Sequence, residues 1–260
     1  MSDNLDPFES PSLLLDAAEI SIDEVELGCA KFVADCTGPL RRHKNPQTGE
    51  EVIYITLKNV LPSRIRTLTS QIVDQIKHSL DQATCDAAIM LGRPNAKGVY
   101  FPIAKTVADF HNEAAHRLRG VDPLLRDYLV QLNTNELGNP GLYNFLKLCG
   151  PNKHQRIVGL TAKTNASLSA SQIGFFSGPM EINVGKWHRT KNEIEWIRVG
   201  PGGAFSVSGT LQDALKPSVR VVLLNGKPPF DKSLPDTLGL FLKEVRGIVS
   251  QITKIATRAG

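Results

Sequence analysis

The chain has 260 residues, 41% of them hydrophobic, with 30 Lys and Arg against 26 Asp and Glu for a formal charge of +4. That size and balance suit a globular protein with a sizeable core and exclude a disordered or fibrous one. No apolar run reaches the roughly 18–20 residues that cross a bilayer, and the acidic start lacks the features of a secretory leader. The four cysteines, Cys29, Cys36, Cys85 and Cys149, are too few for a disulfide scaffold and fit reduced thiols. These features predict an intracellular protein, cytoplasmic or within a virion, with no transmembrane insertion.

Charge is unevenly placed. Residues 1–26 hold eight acids and no Lys or Arg, which leaves 18 acids against all 30 bases in the remaining body, a formal +12. A body of that sign attracts nucleic acid or an anionic lipid surface. Within the acidic arm, Ser12 can cap a helix in which Leu13, Ala17 and Ile20 share one face. Two turns do not hold alone, so the arm must dock. Its own body, a neighbouring copy and the basic surface are the three places open to it.

Residues 28–60 predict a β-hairpin with strands over 30–36 and 51–60. The long loop between them, 41–50, opens on Arg41, Arg42 and Lys44. It is either a mobile finger for a polyanion or a solvated turn. A helix follows from Ser63, with Ile65, Leu68, Ile72, Val73, Ile76 and Leu80 as its core stripe. After a Gly/Pro-containing loop at 92–98, helices are predicted over 104–119, over 123–133 with Pro123 in the first turn, and near 142–148.

From about 154 the pattern turns to strands over 156–162, 180–186, 194–199, 204–208 and 219–224, with a small-residue loop at 164–171. Lys153 and Arg156 form a small basic group at the first of these strands. A long helix closes the chain, with Leu238, Phe241, Leu242, Val245, Ile248, Val249, Ile252 and Ile255 along one stripe. That stripe spans about five turns, enough to cross a domain or pair with a partner helix. The expected fold class is α+β: an α-rich N-terminal and middle part, then an antiparallel β-rich C-terminal part closed by the long helix. The expected organisation is an acidic arm at 1–26, a hairpin plus helical region at 27–150, and a β region with its helix at 151–260.

The segment 180–199 holds both tryptophans. Folded about a tip at Thr190-Lys191, it sets Val184 opposite Ile197 and Ile182 opposite Val199. Lys186 then faces Glu195, His188 faces Glu193, Trp187 faces Ile194 and Gly185 faces Trp196. On the functional reading, Trp187 and Trp196 are stacking planes beside Lys186, Arg189, Lys191 and Arg198. On the alternative reading the tryptophans pack into the core, more so for Trp196 than for Trp187, which is nearer the tip.

Reaction motifs are missing from the sequence. His111 and His116 lie about 140° apart on a helix, so they cannot share one ion there, and no HExxH, CxxC, GxxxxGK[ST] or GxSxG pattern occurs. Gly200-Pro201-Gly202-Gly203 reads as a tight turn, because no helix follows it to hold a phosphate. The expectation is a non-catalytic, sequence-tolerant binder of single-stranded nucleic acid, RNA or DNA, with no cofactor and no metal. It would self-associate through its N-terminal arm or C-terminal helix, as a coat or nucleocapsid-like protein does. The alternatives are an oligomeric matrix-like protein on anionic membrane or protein partners, and an enzyme whose site forms only in space.

Overall fold

The computed structural model describes residues 7–149, 160–168, 173–188, 191–207, 215–224 and 229–258. Its elements run α1 (Glu9–Cys36), β1 (Thr37–Lys44), β2 (Glu51–Leu57), α2 (Ser63–Met90), α3 (Val107–Arg117), α4 (Pro123–Gln131) and α5 (Pro140–Leu146). Then come β3 (Leu160–Leu168), β4 (Ile173–Ser177), β5 (Met180–His188), β6 (Glu193–Val199), β7 (Ala204–Val207), β8 (Leu215–Leu223) and α6 (Leu234–Arg258). The class is α+β, with an antiparallel four-stranded sheet and a long C-terminal helix. Among the described residues no helix is long and apolar enough to cross a membrane.

Two compact units share the chain. The helical unit is Met1–Val25, Arg66–Val158 and Pro235–Gly260; the sheet unit is Glu26–Ile65 and Gly159–Leu234. The β region therefore includes the early hairpin, and the closing helix belongs with the helices of the first half.

The acidic arm is the start of a 28-residue helix, α1, and not a two-turn segment. Phe8, Leu15, Ala18, Ile22, Val25, Cys29 and Phe32 are its buried stripe, while Leu13 and Ile20 are exposed. The stripe keeps its 3–4 spacing through 30–36, so those residues are helical and not the first strand of a hairpin. A short apolar run cannot choose between helix and strand by itself; here continuity with the preceding turns decides. On the same helix Asp16 and Glu19 bind Arg246 of α6, at 2.9 and 2.7 Å, so the arm docks on its own chain.

In the helical unit, Ile72, Val73, Ile76 and Leu80 of α2 are fully buried, as their periodicity predicts. Three shorter helices start at side-chain caps: Thr106 accepts from the Asp109 N–H, Asp122 from Leu124 and Asn139 from Leu142. Each cap satisfies an amide that has no partner in the first turn. Phe145 stacks on Phe241 of α6 with centroids 4.2 Å apart. The stripe of α6 from Leu238 to Ile252 is buried within its own chain.

The sheet unit carries strands in the order β1-β2-β6-β5, with β3 paired to β8 and β4 paired to β7. Strand β1 starts at Thr37, so Arg41, Arg42 and Lys44 stand on a strand and not on a loop. The remaining turn is short and closed. Asn45 N–H donates to the Glu50 carbonyl at 2.7 Å, and Gly49 N–H donates back to the Asn45 carbonyl at 2.9 Å. Residues 164–168, expected as a loop, continue β3 against β8, and β4 is an additional strand. The turn at 200–203 is tight as predicted. A Cβ on Gly203 would lie 2.6 Å from Val199 Cγ1 and 2.9 Å from the Ser177 carbonyl, so only glycine fits.

Candidate functional site

The two long antiparallel hairpins of the four-stranded sheet lie edge to edge, β2 against β6. Backbone pairing runs Arg41–Tyr54–Glu195–Lys186 across the four strands, and Thr56–Glu193–His188 beside it. The tip half of the β5–β6 hairpin has the predicted pairs, Lys186 with Glu195, Trp187 with Ile194 and His188 with Glu193. The base half does not. An irregularity between Ile182 and Lys186 slips the register, so Ile182 pairs with Ile197 and Met180 with Val199. A bulge of this kind re-aims side chains on the strand that carries it. The tip is tied to β2 by Asn192, whose φ of 52° an asparagine tolerates, and whose amide donates to the Leu57 and Asn59 carbonyls at 2.8 and 3.0 Å.

On this face lies a cavity of about 610 Å³, lined by the cations Arg41, Arg42 and Lys191 with His43, Tyr54, His188 and Glu193 beside them. The Tyr54 and His188 rings meet edge to face, centroids 5.8 Å apart. Burial, and then the nearby Glu195 carboxylate, push the Tyr54 hydroxyl above its ordinary value. Tyr54 is therefore a neutral phenol at physiological pH, able to donate a hydrogen bond.

Beneath the rings is a buried carboxylate. The Glu195 side chain is 1% exposed, accepts from Arg198 Nε at 2.7 Å, and lies 3.6 Å from His188 Nε2. Arg198 also reaches Glu50 through Nη1 at 2.6 Å. The hydrogen bond to Glu195 is the main reason the Arg198 guanidinium holds its proton even more firmly than usual. A second buried carboxylate, Glu51, binds Arg42 through both oxygens, and Arg42 further donates to the Phe205 carbonyl at 2.8 Å.

These pairings sort the predicted cations. Arg42 and Arg198 are held by buried carboxylates, and their first role is structural. Arg41, with its side chain 65% exposed, lies 3.7 Å from Glu193, too far for a hydrogen bond and weak as an ion pair. Lys44 and Lys191 are exposed. Trp196 has no exposed surface, so it belongs to the core and offers no face to a base. Only the backbone of Lys186 and Trp187 is described, in β5. Lys153, Arg156 and Arg189 lie outside the described residues.

Tyr54, His43 and His188 enter the site without having been predicted there. Tyr54 looked like one strand residue among several; only the register that sets it opposite Arg41 and Glu195 reveals its place. The predicted pairing of His188 with Glu193 was the one available signal for that histidine. Among the described residues no group of three or more His, Cys, Asp or Glu is arranged to hold a metal. No protein-family model, curated protein or solved structure compared with this chain matches it.

Proposed function

We propose that the protein binds single-stranded nucleic acid, with little sequence preference, across the open face of the four-stranded sheet. One observation carries the reading: Arg41 and Lys191, neither held by a buried carboxylate, border the same cavity as the Tyr54–His188 ring pair. Exposed cations neutralise phosphates, and an aromatic pair offers a surface on which a base can stack in any sequence. Fluorescence anisotropy with labelled 20-mers of uridine and of deoxythymidine tests it. Charge reversal of Arg41 and Lys191 together should weaken binding at least about tenfold and flatten the salt dependence by about two phosphate contacts. Equal affinity and equal salt slope in the double variant would exclude this face.

The self-association part of the reading rests on α1. Leu13 and Ile20, seven residues apart on one face of the helix, are 59% and 71% exposed, an apolar patch that a second copy would cover. Ile20→Glu should shift sedimentation toward the monomer while leaving the fold intact. A monomeric native protein at micromolar concentration removes assembly from the proposal.

A further inference from the structure

The helical unit contains a cavity that the sheet-face reading does not use. It encloses about 550 Å³, inside the roughly 300–1,000 Å³ range of small-molecule sites. Phe101, Tyr143, Leu146 and Cys149 are its buried wall. Tyr100, beside them, is 48% exposed.

Among the described residues, four cations and two carboxylates line this space. Lys77 is bonded to Asp81, which is fixed in turn by the Phe101 N–H at 3.1 Å. Arg117 Nε donates to Glu113 Oε1 at 2.7 Å, and its guanidinium carbon sits 5.3 Å from the Tyr100 ring centroid. Each carboxylate is thus matched by one cation. Lys105 and Lys147 remain, and among the described residues neither has a carboxylate at ion-pair distance. Lys147 rests its ammonium 5.5 Å from the Tyr143 ring centroid. Among the described residues the balance is an excess of two positive charges over a wall of aromatic and apolar carbon.

We infer that this cavity binds a phosphate monoester of mononucleotide class. A phosphate monoester carries about −1.5 to −2 charges at neutral pH, which matches the excess. Lys105 and Lys147 meet the phosphate as charge-assisted donors. Tyr100, half exposed, is the aromatic ring open to the flat body of the ligand, and Phe101 and Tyr143 close the wall behind it. The same chemistry is available from a free nucleotide and from the 5′-phosphorylated end of a strand.

Isothermal titration of the full-length protein with adenosine monophosphate tests the site, with inorganic phosphate, adenosine, and 5′-phosphorylated and 5′-hydroxyl dinucleotides as comparison probes. Saturable binding of adenosine monophosphate is expected, at least about tenfold tighter than either inorganic phosphate or adenosine. Lys105→Glu with Lys147→Glu, both on the surface, should lower that affinity at least tenfold, with the melting temperature unchanged. Lys191→Glu in the sheet unit should leave it alone, which separates this site from the proposed strand-binding face. Binding of the 5′-phosphorylated dinucleotide with the same lysine dependence identifies the strand end as the ligand; its failure beside a bound mononucleotide identifies the free nucleotide. No saturable binding, or binding indifferent to the two lysines, overturns the inference.

Discussion

The helical unit and the sheet unit manage charge in different ways. In the helical unit the pairs are local or at the surface: Lys77 with Asp81 and Arg117 with Glu113 four residues apart, and Arg246 across to Asp16 and Glu19. Lys147, without a carboxylate at ion-pair distance among the described residues, leans on the Tyr143 ring. In the sheet unit two glutamates, Glu51 and Glu195, are buried at 5% and 1% exposure, and each is gripped by an arginine from the same sheet. A buried carboxylate without a partner is costly, so each of these arginines is held in one place. The sheet thus consumes some of its cations as scaffold and leaves others free. Counting basic residues along a strand does not show which are which.

The sharpest contrast in stability should come from the sheet core. Trp196→Ala removes a fully buried indole and should cost about 3–5 kcal/mol in denaturant unfolding. A loss below 1 kcal/mol would mean that the ring is not packed as described.

Next come the carboxylates. Glu195→Gln leaves Arg198 and His188 facing a neutral group and should cost about 2–3 kcal/mol. Glu113→Gln, at a partly exposed helix pair, should cost no more than about 0.5 kcal/mol. Equal losses at the two sites in matched urea titrations would erase the distinction between the units.

The smallest effect belongs to Asp86 in α2. Burial pushes its carboxyl above the ordinary aspartate value. The folded state therefore prefers the protonated form. Its contribution to stability is complete below the unfolded pKa of about 3.9 and is lost as pH rises through the higher folded value. Asp86→Asn should be slightly more stable than the parent at pH 7, by up to about 0.5 kcal/mol, and no more stable at pH 3. A variant less stable than the parent at pH 7 reverses the sign and assigns Asp86 a favourable partner.

The difference between the two units also explains what could be read in advance. The stripe of α2, the Asp122-Pro123 start of α4 and the length of α6 were all legible, because caps and 3–4 spacing act over a few neighbouring residues. The pairing of Lys186, Trp187 and His188 at the β5–β6 tip was legible too, since a near turn sets its register. The base of that hairpin was not, because the register shifts beyond Ile182 at the same stretch of β6, between Glu195 and Ile197, where β2 also shifts. Tyr54 shows the same limit: nothing within its own strand distinguishes it from Ile53 or Ile55, and its role appears only when Arg41, His188 and Glu195 arrive from elsewhere.

Sequence alone determined the class, α+β, the core stripes of the long middle and closing helices, and the asymmetry between an acidic start and a basic body. Tertiary structure decided that 30–36 continue a helix, that Trp196 is core, and that Arg42 and Arg198 are committed while Arg41 and Lys191 are not. The reason is the reach of the interactions. A helix closes its hydrogen bonds four residues away, but a strand completes its own only on a partner, and the partner chooses which side chains are buried, paired or free.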